Sequence, residues 1–397
     1  MSEYITNSKK RVEDLFRFSQ GIINGEDGNE LLLKYGDTLK FITPHDMIAM
    51  EEKQLKMGIN PSVIKAKIEK VMNVLYDQLR NYQWEKPESG HPLDYFRQEN
   101  RELEKLLGRI KQNLRIQDIV SLKKSIKALF VMDRHYLRKE NILFPFLEKT
   151  WENCRPLSVM WSLHDDIRLK LKKLDSHISK SAKLDKEFYS IIGELFFLMY
   201  GMILKEELVI FPVAMETLTK TDWREIAAQS HVIGFSYINP DLPNASKISN
   251  PAEKSSRDGI SGKIFSSTTG KLNSEQLEKI FNTLPVDITF IDEKDEVAYF
   301  SNPKDRFFPR SPAIIGRKVQ NCHPPESVHI VEKILTAFKD GSRDEALFHI
   351  NMKGRFIMIR YFAVRDDAGK YIGTLEVSQD VTKIRSLKGD RRLLDWD

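Results

Sequence analysis

Apolar residues recur every three to four positions through most of the first 230 residues and roughly every second position in much of the last 120. The first period is one face of a helix and the second one face of a strand. Near the start, Thr43-Pro44 with Asp46 and Asn60-Pro61 with Ser62 each set a capping side chain before a proline, so a short helix is expected after each. Val63, Ile64, Ile68, Val71, Met72 and Leu75 then trace one buried stripe. From Gly90 to Gln229 the period predicts four long helices, Leu93 to Leu114, Asp118 to Lys149, Pro156 to Ser181 and Leu184 to Leu218. Their lengths and short breaks fit an up-down-up-down bundle, closed by a shorter helix around Asp222 to Gln229. Pro240 to Gly270 is rich in Ser, Thr, Pro, Gly and Asn and reads as a flexible linker. Beyond it, residues 286–301 form a hairpin pattern. Glu345 to Asn351, Arg355 to Val364 and Tyr371 to Gln379 read as further strands, preceded by a helix from Pro325 to Lys339. The expected architecture is multidomain, an all-α four-helix bundle followed by an α+β domain with a mostly antiparallel sheet. The expected divisions are a small helical domain at 1–85, the bundle at 86–235, the linker at 236–272 and the α+β domain at 273–397.

Charge and cysteine content narrow the function. Across 397 residues, 62 Lys+Arg oppose 57 Asp+Glu, a surplus of only +5. That is too thin for a dedicated nucleic-acid binder. Two cysteines, Cys154 and Cys322, make no disulfide framework, and the first residues lack the apolar core of a signal peptide. Phe188 to Leu204 is the most apolar stretch, yet it carries Glu194, which points to a helix buried in protein rather than in lipid. A cytoplasmic protein without a membrane segment is expected.

The chemistry concentrates in a near-repeat. Lys139-Glu140-Asn141-Ile142-Leu143-Phe144-Pro145 lies in the second bundle helix and Lys205-Glu206-Glu207-Leu208-Val209-Ile210-Phe211-Pro212 in the fourth. Glu140 and Glu207 take equivalent places, while His91 and His164 lie on the first and third helices. Each helix pair thus offers one histidine and one glutamate, and two such halves facing each other make a dinuclear metal centre of iron, manganese or zinc. His135 is a further terminal ligand. Lone His45, His177 and His231 read as structural or exposed.

The stretches GHPLDYFRQENRELEKLL, HYLRKENILFPFLEK, VMWSLHDDIR and MILKEELVIFPVAMETL resemble the hemerythrin-like cation-binding bundles. That resemblance implies a non-haem di-iron site that binds oxygen or nitric oxide, with ligands His91, His135, Glu140, His164 and Glu207. Tyr136, Asp165, Asp166 and Glu206 are alternative or supporting ligands. Two departures stand out. The usual second-helix motif has Glu four residues after His, whereas four after His135 is Lys139 and Glu140 lies five after, about 140° away around an α-helix. Either a local bulge brings His135 and Glu140 to one metal, or they serve different metals. On the fourth helix Met202 stands where a histidine would repeat His135.

The C-terminal part resembles a PAS domain, in LPVDITFIDEKDEVAYFS, GRKVQNCHPPESVHIVEKIL and RYFAVRDDAGKYIGTLEVSQDVT. This implies a pocket for a small ligand or cofactor, and dimerisation. Cys322 and His323 are candidate pocket residues, including for haem, although a packed cysteine in a proline-bounded loop is the plainer account. The N-terminal helices resemble a domain of unknown function that precedes such bundles. The first functional expectation is a cytosolic sensor of oxygen, nitric oxide or redox state that passes its signal to a separate downstream protein. The alternatives are a di-iron enzyme or iron donor for nitric oxide or peroxide detoxification or cluster repair, and a metal-free interaction scaffold with a ligand-binding PAS domain.

Overall fold

The computed structural model describes residues 2–180, 184–240, 264–267 and 269–389, in two compact units divided near residue 243. The first is all helical. It opens with α1 (Ser2–Asn24), α2 (Gly28–Leu39), α3 (Pro44–Lys56), α4 (Pro61–Val74) and α5 (Tyr76–Arg80). Thr43 and Asn60 cap α3 and α4 as their sequence contexts predict, Thr43 through a reciprocal capping box with Asp46. α3 packs on the bundle: Lys205 Nζ lies 3.0 Å from Glu51 and the Arg155 amide donates to Glu52, so residues 1–85 and the bundle share one unit.

The bundle's first helix is α6 (Pro92–Arg115). Its second runs from Ile119 to Thr150 through α7 (Ile119–Leu129), a 3₁₀ turn, α8 (Asp133–Arg138), a π-helical turn at Lys139–Leu143 and α9 (Phe144–Thr150). The third is α10 (Pro156–Lys180). The fourth joins α11 (Lys186–Lys205), a second π turn at Glu206–Ile210 and α12 (Phe211–Thr217), and α13 (Lys220–Ile233) follows. The two π turns are explained by Pro145 and Pro212. A proline inside a helix donates no hydrogen bond and crowds the carbonyl four residues back, here Asn141 and Leu208, so the ladder widens at both places.

The second unit carries a five-stranded antiparallel sheet of β3 (Asp287–Asp292), β4 (Val297–Phe300), β5 (Glu345–Met352), β6 (Arg355–Arg365) and β7 (Tyr371–Asp380), in the order β4-β3-β7-β6-β5. Lys353 and Gly354, both at positive φ, form the tight turn between β5 and β6. Gly373 is required by close approach, because a Cβ there would overlap the Ile291 carbonyl and the Phe290 ring. The helix Pro325–Lys339 covers the face of the sheet that bears Ile291, where Ile291, Val319 and Leu335 make an apolar cluster. Part of the expected linker lies outside the described residues, but its end is ordered otherwise. β1 (Ile264–Ser267) and β2 (Gly270–Asn273) pair as a hairpin before a helix at Ser274–Thr283, capped by Asn273. No helix among the described residues is long and apolar enough to cross a membrane.

Candidate functional site

Of the five residues expected as principal metal ligands, the fold gathers three, His135, Glu140 and His164, in the bundle interior, all essentially inaccessible to solvent. His91 caps α6, its Nδ1 accepting from the Leu93 amide at 3.1 Å while its ring meets Trp223 edge-on. Glu207 is about a quarter exposed and pairs with Arg97 at 2.8 Å. Its neighbour Glu206 is the buried carboxylate of the fourth helix. Asp165 pairs with Arg168, and Asp166 pairs with Lys65, both at 2.8 Å and both with their side chains well exposed.

Around these residues three carboxylates are paired with three cations. Glu99 pairs with Arg138, Glu206 with Lys139 and Glu140 with Arg168, and the first two pairs are wholly buried. His135 lies between two of the carboxylates, with Nδ1 2.8 Å from Glu99 and Nε2 3.1 Å from Glu206. Asn100 donates to Glu206 at 2.8 Å, and the Ser236 amide donates to Glu99 at 2.5 Å. Arg138 is sandwiched between the rings of Phe96 and Phe235, each centroid 4.3 Å away. On the other side Glu140 receives both guanidinium nitrogens of Arg168, at 2.8 and 3.0 Å, and faces His164 Nδ1 at 2.7 Å. Tyr136 stacks on His164 with ring centroids 4.5 Å apart. The π turn separates the two halves: it begins at Lys139, so Lys139 stays with His135 and Glu206 while Glu140 turns to His164 and Arg168.

These environments set opposite protonation preferences. Burial lifts the Glu140 carboxyl to about 7 against the pull of Arg168, which stays charged. Burial would also raise Glu206, but the charge of Lys139 and then His135 outweighs it and holds that carboxyl at about 2. His164 is kept neutral, first by burial and then by the nearby cations Lys139 and Arg168.

This donor set does not fit a dinuclear metal centre. Each carboxylate already has a side-chain cation, and both nitrogens of His135 are engaged with carboxylate oxygens, Nδ1 with Glu99 and Nε2 with Glu206. His164 Nε2 and Tyr136 Oη are buried without a hydrogen-bond partner, but one imidazole nitrogen and a phenol are not a ligand shell. Two divalent ions would add four positive charges to a core whose carboxylates are balanced. Among the described residues no group of three or more His, Cys, Asp or Glu side chains is arranged to hold a metal ion.

Glu99, Arg138, Lys139 and Arg168 were missed as members of this network, although a signal existed. Glu99 falls three residues after Phe96 and four before Leu103, and Lys139 three after Tyr136 and four before Leu143, so each charge sits on an apolar stripe.

A second polar cluster lies in the other unit, on the helix-covered face of the sheet. Strand register puts Asp287 opposite Ser378, and Thr289 opposite Glu376, which in turn faces Tyr361. Arg306 reaches Thr289 at 3.2 Å and lies 4.0 Å from Asp287; Arg310 is 3.8 Å from Glu376. Asp287 accepts the Phe307 and Phe308 amides through one oxygen, and burial raises its carboxyl. Its other oxygen, the Ser378 hydroxyl and Arg310 Nε are buried without partners. Of the two expected pocket residues, Cys322 packs with Val297, Ile314 and Phe300, its thiol directed at the Lys318 carbonyl at 3.7 Å, and His323 is half-buried. A thiol so engaged is not presented to a haem iron.

Residues 72–214 match the hemerythrin HHE cation binding domain, and residues 277–382 match a PAS domain. Among solved structures, the chain is similar to a C-terminal domain from Streptococcus mutans, with 33% identity over 32% of this chain and 98% of that one and a TM-score of 0.31. It is also similar to a PAS domain from Colwellia psychrerythraea (18% identity, 28% and 97% coverage, TM-score 0.22) and to a sensory box sensor histidine kinase from Vibrio cholerae (13%, 27% and 90%, 0.21). No curated protein matches the chain.

Proposed function

We propose that this chain, which carries a hemerythrin HHE domain and a PAS domain, is a signalling protein whose PAS domain receives a small polar ligand. The observation that carries this is the buried, unpaired pair of polar atoms Asp287 Oδ1 and Ser378 Oγ, adjacent across β3 and β7. A buried polar atom without a partner costs about 1–3 kcal/mol. A ligand that offers a donor to Asp287, an acceptor to Ser378 or Arg310, and little bulk removes that cost on binding. The surrounding Arg306, Arg310 and Glu376 favour a molecule with both an anionic and a donor group, such as an amino acid or hydroxy acid. Signal output passes to a separate protein or a second copy. The edge strand β5 supports this, exposing Leu347, Phe348 and Ile350.

Nothing in this reading passes through a metal, oxygen or nitric oxide, because the bundle's donor set is neutralised internally. Thermal unfolding of the full chain against a panel of amino acids and hydroxy acids tests it. A true ligand at about one hundred times its Kd stabilises the unit that binds it by about 2.7 kcal/mol, and Ser378→Ala weakens that response. If haem or an apolar ligand stabilises the chain and no polar compound does, the reading is wrong.

A further inference from the structure

We infer that Lys139 is the resident cation of this bundle, its ammonium taking the place a metal ion takes between the second and fourth helices. Lys139 lies four residues after His135 along an α-helical stretch, the position that carries a ligating glutamate in the motif this helix resembles. Its side chain is fully buried, its Nζ contacts Glu206 Oε1, and it lies 5.0 Å from the centre of the Tyr136 ring. The other Glu206 oxygen is taken by His135 and Asn100. Buried Met202, four residues before Glu206, supplies no nitrogen where the opposite helix has His135. Replacing a glutamate by a lysine changes the local charge by two, which is the charge of one divalent ion. The carboxylates of the core keep their counter-charge, and it is now covalently attached. An ammonium is a compact donor that satisfies a carboxylate much as a hard cation does, yet it cannot exchange with solvent or change oxidation state. The buried carboxylates of the bundle are therefore counter-charged without depending on metal supply.

The test uses the full chain. Wild-type protein is equilibrated anaerobically with Fe(II), Mn(II) or Zn(II), passed through gel filtration and analysed for metal, with Co(II) absorption as an independent readout. Wild type is expected to retain far less than one metal per chain and to show no tetrahedral or five-coordinate Co(II) bands. The double variant K139E/M202H, which restores a carboxylate and an imidazole, is expected to rise to about one metal per chain. Stoichiometric metal in wild type that disappears in H164A would overturn the inference, and this arm stands whether or not the double variant folds. A double variant that is folded by circular dichroism and still takes up no metal would also overturn it, because Lys139 would then not be the group in the metal's place.

Discussion

The bundle and the PAS domain both bury charged side chains, but they balance them differently. In the bundle, Glu99, Glu140 and Glu206 each meet a cation from the chain itself, and helices from all four quarters contribute. On the PAS sheet, Asp287, Ser378 and Arg310 keep buried atoms with no partner. In the first arrangement every one of these glutamates has a cation, and the atoms left without a partner are Asn100 Oδ1, Tyr136 Oη, Arg138 Nε and His164 Nε2 rather than a carboxylate oxygen. The second leaves a carboxylate oxygen unpaired beside a hydroxyl, and this is where we propose that a ligand binds. A match to a hemerythrin domain therefore does not by itself identify a metal site; the partners of the individual side chains decide what the site can hold.

The contrast can be broken most forcefully at the Lys139–Glu206 pair. Lys139→Met leaves Glu206 buried without its cation and should cost about 3–5 kcal/mol in urea unfolding, whereas replacing both partners by apolar residues should recover most of the loss. Equal costs in the single and double variants would show that the pair is not coupled. Next in size is the pH effect of Glu140. Its folded pKa, about 7, lies above the ordinary value of 4.5, so the folded state binds the extra proton and stability falls as pH rises through that interval. Glu206, held at about 2, acts oppositely: its contribution is full above pH 4.5 and is lost as pH drops toward 2. Glu140→Gln should abolish the decline between pH 4.5 and 7 and leave the acid limb in place, as seen in unfolding free energy measured across pH. On the PAS side the sign reverses. Ser378→Ala deletes an unpaired hydroxyl and should be neutral or stabilising by about 1 kcal/mol without ligand. A loss of several kcal/mol there would mean that the hydroxyl is satisfied. The smallest effect is expected at Glu207→Gln, which removes a partly exposed pair with Arg97 and should cost less than about 1 kcal/mol.

Much of this was legible from the chain. The four bundle helices and the strands β5 to β7 lie within a few residues of the ranges that periodicity predicts, because burial on one face imposes 3.6 or 2 as the repeat. The capping roles of Thr43 and Asn60 were equally local. The bulge weighed as a way to bring His135 and Glu140 together has a counterpart in the π turn at Lys139–Leu143, but that turn sends Glu140 to His164 and Arg168 and leaves His135 with Glu99 and Glu206. The hairpin at Ile264–Asn273 was not foreseen, since its Ser, Thr and Gly content matches that of a linker and its pairing depends on neighbours rather than period. The candidate site was only half legible. His135, Glu140 and His164, expected as ligands, are buried in the structure, Glu206 rather than Glu207 turns inward on the fourth helix, and the buried Arg138 and Lys139 were not among the candidates.

What decided the chemistry was the meeting of residues far apart in the chain: Glu99 with Arg138, Lys139 with Glu206, Asp287 with Ser378. Hydrophobic period specifies which face of an element is buried, and that is a property of one segment read alone. Whether a buried charge finds a partner depends on which other segment arrives within about 3 Å. Burial makes the difference between paired and unpaired worth several kcal/mol. The chain's own pattern thus determined the helices, the sheet and the buried faces. Only the tertiary structure decided which buried carboxylates meet a cation and which buried polar atoms are left without a partner.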